Sequence, residues 1–219
     1  MKALLKAGLI GLVLAASSAA HADRDFGIGL KAGTLGAGIE GTWRPLPYLD
    51  VRLGTNFYEY DDSGDQAGVN YNATLDLDTV YGTANLRFPL SPFRVTAGLF
   101  SNGNELNLVS DETSGTIEIG GTNYNLSDVG TVSSTSTFGS TSPYLGFGYD
   151  FTVLDRVGLI FDVGVLWQGD PEVSVTADGP IATQQAFLDS LEAERQELED
   201  EISDFKAWPV VSLGFVVNF

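Results

Sequence analysis

The chain has 219 residues, 43% of them hydrophobic, with 11 Lys+Arg against 29 Asp+Glu and a formal net charge of −18. That length carries one domain of ordinary size, and the excess of acid argues against nucleic acid as a partner. Cysteine is absent and His21 is the only histidine, so disulfides, Cys nucleophiles and ordinary zinc sites fall away.

The first stretch, MKALLKAGLIGLVLAASSAAHA, sets Lys2 and Lys6 before an apolar run from Ala7 to Ala16, then Ala20-His21-Ala22. A charged start, a short apolar core and a small-x-small site predict a secretory signal peptide over 1–22, leaving a mature domain over 23–219. Cleavage removes two lysines and the histidine, taking the charge from −18 to −20. No later run approaches the ~20 apolar residues of a membrane helix.

Eight segments then alternate apolar and polar residues, as strands with two unlike faces do. Phe26, Ile28, Leu30 and Ala32 oppose Gly27, Gly29, Lys31 and Gly33. Ile39, Gly41 and Trp43 oppose Glu40, Thr42 and Arg44, before the turn Pro45-Leu46-Pro47. Leu49, Val51, Leu53, Thr55 and Phe57 oppose Asp50, Arg52, Gly54, Asn56 and Tyr58. Val80, Gly82, Ala84, Leu86 and Phe88 oppose Thr79, Tyr81, Thr83, Asn85 and Arg87. After Pro89 and Pro92, Phe93, Val95, Ala97 and Leu99 oppose Arg94, Thr96, Gly98, Phe100 and Asn102. Leu145, Phe147, Tyr149 and Phe151 oppose Tyr144, Gly146, Gly148 and Asp150. The seventh is the longest regular run, Val157 to Trp167 against Gly158 to Gln168. The eighth, VVSLGFVVNF, places Val211, Leu213, Phe215, Val217 and Phe219 on one face.

Tight turns near 45–47, 89–92 and 152–155 alternate with a short link near Gly36 and long polar stretches at about 61–75, 107–141 and 169–206. An even strand count, short turns on one rim and long loops on the other predict an all-β fold: an eight-stranded, up-and-down antiparallel transmembrane barrel. A soluble barrel of the lipocalin type turns its apolar face inward. Here the opposite face carries Lys31, Glu40, Arg44, Asp50, Arg52, Arg87, Arg94, Asp150 and Asp162, which suits lipid outside and a polar lumen within. In lipid a closed barrel pairs every backbone group without an edge. The short turns are then periplasmic, the long loops extracellular, and the protein is placed in the cell outer membrane of a Gram-negative-type cell. Phe215, Val217 and the terminal Phe219 resemble the ending that outer-membrane barrels present to the barrel-assembly machinery, with Phe219 in the interfacial aromatic girdle.

Two readings of the lumen stand. Its nine charges form a salt-bridged plug, since eight strands enclose little more than side chains, or they line a charged path for a small solute. Inward Tyr58, Tyr81, Phe100 and Tyr144 fill volume, while inward glycines relieve crowding or leave a passage. The long loops hold most of the acid, eleven carboxylates in 169–206 alone. They would concentrate cations at the mouth, or bridge divalent ions to lipopolysaccharide, or serve solubility. DDSGD at 61–65 lacks the spacing of an EF-hand, so no metal site is assigned. Within the last loop, Leu188, Leu191, Leu198, Ile202 and Phe205 form a helical stripe that Arg195 interrupts, with Thr183 as N-cap and a lid over the mouth as the expected role. No catalytic residue and no cofactor are assigned. Asp150 and Asp162 are surrounded by arginines, a poor setting for a general acid.

Several stretches resemble the CarO family of outer-membrane barrels: Pro143 to Gly148 (PYLGFG), Gly169-Asp170-Pro171-Glu172-Val173, GTIEIGGTNY at 115–124, and a Glu-rich segment before Trp208-Pro209-Val210. The chain ends in Phe219 where some relatives end in Trp. The resemblance implies an eight-stranded barrel and passage of basic amino acids. Together these features predict a narrow, cation-preferring channel for small basic or zwitterionic solutes, with Lys31, Glu40, Arg52 and Asp162 setting the field at mid-depth. The competing class is a non-conducting structural or surface-interaction barrel whose acidic loops bind divalent cations, lipopolysaccharide or a protein.

Overall fold

The structure, a computed structural model, describes residues 25–66, 69–110, 115–154 and 156–219; the predicted signal peptide lies outside them. Strands β1 (Phe26–Gly33), β2 (Gly36–Leu46), β3 (Leu49–Gln66), β4 (Val69–Arg87) and β5 (Phe93–Asn102) follow one another around a wall. β6 (Glu105–Ser110), β7 (Thr116–Ile119), β8 (Thr122–Asn125), helix α1 (Leu126–Val129) and β9 (Val132–Thr137) come next, outside it. The wall resumes with β10 (Thr141–Leu154) and β11 (Val157–Trp167). After β12 (Glu172–Ala177), helix α2 (Gln185–Glu201) and a 3-10 turn (Ile202–Lys206), β13 (Ala207–Asn218) completes the chain.

Eight of these strands close the barrel in the order β1-β2-β3-β4-β5-β10-β11-β13, all antiparallel, with β13 returning to β1 from Gly27↔Asn218 to Gly33↔Ser212. Closure leaves no edge within the hydrocarbon. The expected apolar face is the outer one. Leu53 (66% exposed), Phe147 (67%) and Leu213 (60%) form a belt that in water would be a large aggregation-prone patch and in lipid is solvated. Trp43, Tyr48, Phe88, Phe93 and Phe219 mark its short-turn border, and the Phe219 amide is tied to the Phe26 carbonyl at 2.9 Å.

The described residues of the three long stretches form strands and helices. β3 and β4 continue past the barrel to Gln66↔Val69 without a register break, so DDSGD lies in a strand rather than a loop. The outer half of β4 pairs with β6, β6 with β9 and β9 with β12, extending the sheet beyond the rim. A β7–β8 hairpin, on the segment GTIEIGGTNY, and α2 cover this extension. They enclose a second core of Ile117, Ile119, Leu126, Val129, Val132, Phe187 and Leu191.

The helix differs from its expected form. Gln184 rather than Thr183 is the N-cap, with no side-chain cap bond, and its buried face is Phe187, Ser190 and Leu191. Leu188 and Phe205 stay exposed, because the helix docks on β7 and β12 instead of presenting its whole stripe to the barrel. Tyr124 and Ser190 hydroxyls meet at 2.8 Å, and the Gly120 amide donates to Glu194 at 2.8 Å. Gly120 (φ +56) approaches the Ser190 carbonyl where a Cβ has no room.

Candidate functional site

Alternation decides what enters the lumen, and the nine predicted charges all project there. The structure brings eight of them into one connected set. Arg52, at mid-depth on β3, is its centre, within 3.3 Å of Glu40, 3.7 Å of Asp50, 3.6 Å of Asp150 and 3.5 Å of Asp162. Arg94, fully buried, donates through Nε to Asp150 at 3.0 Å and through Nη1 to Asp162 at 2.5 Å. Arg87 spans Asp50 at 2.5 Å and Asp150 at 2.6 Å, and Lys31 approaches Glu40 at 3.7 Å. Pairing of this density is what a buried charge needs, since an isolated one costs several kcal/mol. Arg44, the ninth, makes no ion pair among the described residues, and its Nε is buried without an acceptor.

Neutral groups extend the network. Asn85 donates to Asp50 at 2.6 Å, and Thr96 bridges, donating to Asn85 at 2.6 Å while accepting from Arg94 at 3.1 Å. Nearer the long-connection rim lies an aromatic layer. The Tyr81 and Phe100 rings stack at 4.7 Å, Tyr144 sits 5.3 Å from Phe100, and the Lys31 ammonium lies 4.1 Å over Tyr81. The Tyr81 hydroxyl donates to Glu40 at 2.8 Å, joining the two layers. Above them, Asn102 and Asn104 donate to the Gln168 side-chain oxygen, and Asn56 donates to Thr79 at 2.8 Å.

Tyr58 is a correction. It keeps the parity of the inner face but lies beyond the barrel, 48% exposed and stacked on Tyr60, so it fills none of the lumen. Four of the inward glycines relieve crowding, while Gly158 borders open space near the short-turn rim. A Cβ at Gly148 would fall on the Arg94 guanidinium, one at Gly54 on the Tyr81 hydroxyl, and one at Gly146 or Gly164 on the Tyr144 hydroxyl. These glycines make room for large neighbours. Between the ionic and aromatic layers a void of about 20 Å³ remains, enough for about one water.

No protein-family model matches the sequence, and no curated protein does. Among solved structures, Acinetobacter baumannii CarO2 is similar at 24% identity and a TM-score of 0.59, over 89% of this chain and 98% of that one. Acinetobacter baumannii CarO matches at 22% and 0.58, over 88% and 97%. The fold is that of the CarO barrels. Neisserial surface protein A, at 12% identity and a TM-score of 0.31 over 89% and 93%, is too distant to argue from. The CarO-like stretch PYLGFG now has a physical meaning. It supplies Tyr144 to the aromatic layer, and its two glycines admit the Tyr144 hydroxyl and the Arg94 guanidinium.

Sequence reasoning placed the charges but missed two sets of neutral groups: Asn85 and Thr96, which join the charges, and Gln168, which gathers Asn102 and Asn104 above the aromatic layer. Their inward parity was visible; their partners lie on other strands, and only strand order and register reveal them.

Proposed function

We propose that the protein is an outer-membrane barrel with a closed lumen, which carries a folded acidic cap on the cell surface and acts through that cap. The observation that carries this reading is the void of about 20 Å³ among Lys31, Glu40, Arg52, Tyr81, Phe100 and Tyr144. An amino acid is several times the size of the ~30 Å³ that one water occupies in the liquid. Passage requires both layers to part, and parting the ionic one strands buried charges. Cysteine is absent and the one histidine, His21, lies in the predicted signal peptide, so the mature chain has neither a Cys nucleophile nor a Ser-His pair, which supports a non-enzymatic role. The C-terminal strand with Phe215, Val217 and Phe219 would engage the barrel-assembly machinery. The acidic cap suits divalent cations, lipopolysaccharide or a basic protein surface.

A second reading, a narrow cation-preferring channel for small basic or zwitterionic solutes, is favoured by one feature. A cavity of about 380 Å³ reaches from the short-turn rim to Arg52, so the closure is confined to the upper half. Single-channel recording in planar bilayers separates the two. The closed reading expects silence at every voltage. Steady conductance whose cation preference reverses in Asp162→Lys would establish the channel instead.

A further inference from the structure

Below the ion pairs the barrel opens at its short-turn rim into the cavity of about 380 Å³, bordered by Thr42, Arg44, Arg87, Ser91, Asp150 and Asn218, with Arg52 at its inner end. Two of its three arginines are committed. Arg52 touches four carboxylates and Arg87 holds two. Asp150, the carboxylate on this wall, is itself bracketed by Arg52, Arg87 and Arg94. Arg44 stands apart because no carboxylate among the described residues pairs with it; its Nε, like that of Arg52 and the Nη2 of Arg94, is buried without a hydrogen-bond partner. Asp25 faces it across the β1–β2 ladder, accepting the Arg44 amide through its backbone carbonyl at 2.7 Å, yet its carboxylate forms no ion pair with the guanidinium.

The lumen set therefore holds five cations, Lys31, Arg44, Arg52, Arg87 and Arg94, against the four acids Glu40, Asp50, Asp150 and Asp162, and the surplus positive charge sits in the cavity. A guanidinium presents a planar fork matched to two oxygens of a carboxylate or phosphate. The Thr42 and Ser91 hydroxyls and the Asn218 amide lie on the same wall as further donors. We propose that Arg44 and this cavity form a binding site for a small oxyanion, of the phosphate or carboxylate class, entering from the short-turn side. The anion accepts from the Arg44 guanidinium, which pairs with no carboxylate among the described residues, and neutralises the surplus positive charge of the lumen set. Entry is on the rim opposite the acidic cap, so the cap's field does not oppose it beyond about a Debye length. The site stands whether or not the lumen conducts.

The same chemistry is offered by free anions and by a lipid phosphate in the adjoining leaflet, and one experiment with two arms separates them. The processed full chain in lipid-free detergent is titrated with inorganic phosphate, and phosphorus NMR line broadening is followed. Saturable broadening is expected, weakened about tenfold or more in Arg44→Gln, as for loss of one charge-assisted contact, and unchanged in Arg195→Gln on the cap. Failure to bind phosphate combined with Arg44-dependent retention of phosphatidylglycerol through delipidation assigns the site to a lipid headgroup. Equal phosphate affinity in Arg44→Gln, or neither binding nor retention, overturns the proposal. Heat-modifiable gel mobility checks that Arg44→Gln is folded. If it is not, Arg44→Lys, which keeps the charge but loses the fork, is expected to bind several-fold more weakly than wild type, and equal affinity there also overturns it.

Discussion

The two halves of β4 obey opposite rules on one unbroken register. Near the short-turn end, Thr79, Tyr81, Thr83 and Asn85 point inward while Val80, Ala84 and Leu86 point outward. Beyond Asp78 the parity continues, but Tyr71 and Leu77 now take the inner side, Tyr71 against the cap core and Leu77 buried, while Asn72, Thr74, Asp76 and Asp78 look out. No bulge separates the halves; β3 and β4 pair continuously from Leu49↔Leu86 to Gln66↔Val69. The strand therefore does not reverse its faces. The solvent outside it changes, from hydrocarbon to water, and composition follows. The boundary falls where Asn56 donates to Thr79, and it divides an inside-out barrel from a conventionally packed cap.

The largest effect should come from removing the centre of the barrel's polar core. Arg52→Ala leaves the buried Glu40 and Asp162 each with one fewer cation, and breaking such a buried set costs about 3 to 5 kcal/mol. Urea unfolding in lipid vesicles should show a loss near 4 kcal/mol. A loss below about 1 kcal/mol would mean that water reaches the layer and that the lumen is not closed there.

The cap should respond separately. Phe187, fully buried with its ring 5.0 Å from Tyr124, belongs to a core that no lipid supports. Phe187→Ala should cost about 3 kcal/mol and confine the damage to the cap. Limited proteolysis is expected to open α2 and the β7–β8 hairpin while the barrel keeps its folded gel mobility. Simultaneous loss of both would show that the two regions fold as one unit.

How far the sequence revealed this division can be judged from the same residues. The eight barrel strands were legible because lipid on one side and charge on the other enforce a strict two-residue period, and Val157 to Trp167 needs nothing more. Of the cap, only the helix Gln185–Glu201 was legible, from its apolar stripe; the strands and the shared core were not. Strand Val132–Thr137 is Ser- and Thr-rich, and against water the apolar residues retreat to a shared interior assembled from two distant stretches, 117–132 and 187–191. Ile117, Leu126, Val132 and Phe187 meet there, and no local pattern announces it. Within the lumen, parity placed the charges correctly, but the pairing of Arg94 with Asp162, 68 positions apart, follows from strand order alone. Arg44 shows the limit of parity: it faces inward with the others and pairs with no carboxylate among the described residues.

The boundary itself can be probed with one added charge on either side. Ala84, outward on the membrane half of β4, meets hydrocarbon; Ala84→Lys should cost about 2 to 3 kcal/mol. Asn72, outward and exposed on the cap half, meets water; Asn72→Lys should change stability by less than about 0.5 kcal/mol. Equal costs at the two positions would erase the boundary placed at Thr79.

The smallest effect concerns the cap's exposed helix, where charge should matter least. Arg195 donates to Glu192 at 2.7 and 2.8 Å and also bonds Glu199, while Gln196 donates to Glu192 at 2.8 Å. The Arg195 bonds, then that of Gln196, hold the Glu192 carboxyl down at about 2. A carboxyl lowered in the folded state stabilises it above the unfolded value near 4.5 and loses that contribution as pH falls toward 2. Because the pair is solvent-exposed, water and salt screen it, and little stability is at stake. Thermal loss of helical ellipticity should thus differ slightly between wild type and Glu192→Gln at pH 6 in low salt. The difference should shrink between pH 4.5 and 2, and disappear at high salt. A difference that survives both treatments would place Glu192 in a dry setting, and the cap's outer face would then share the electrostatics of the lumen instead of contrasting with it.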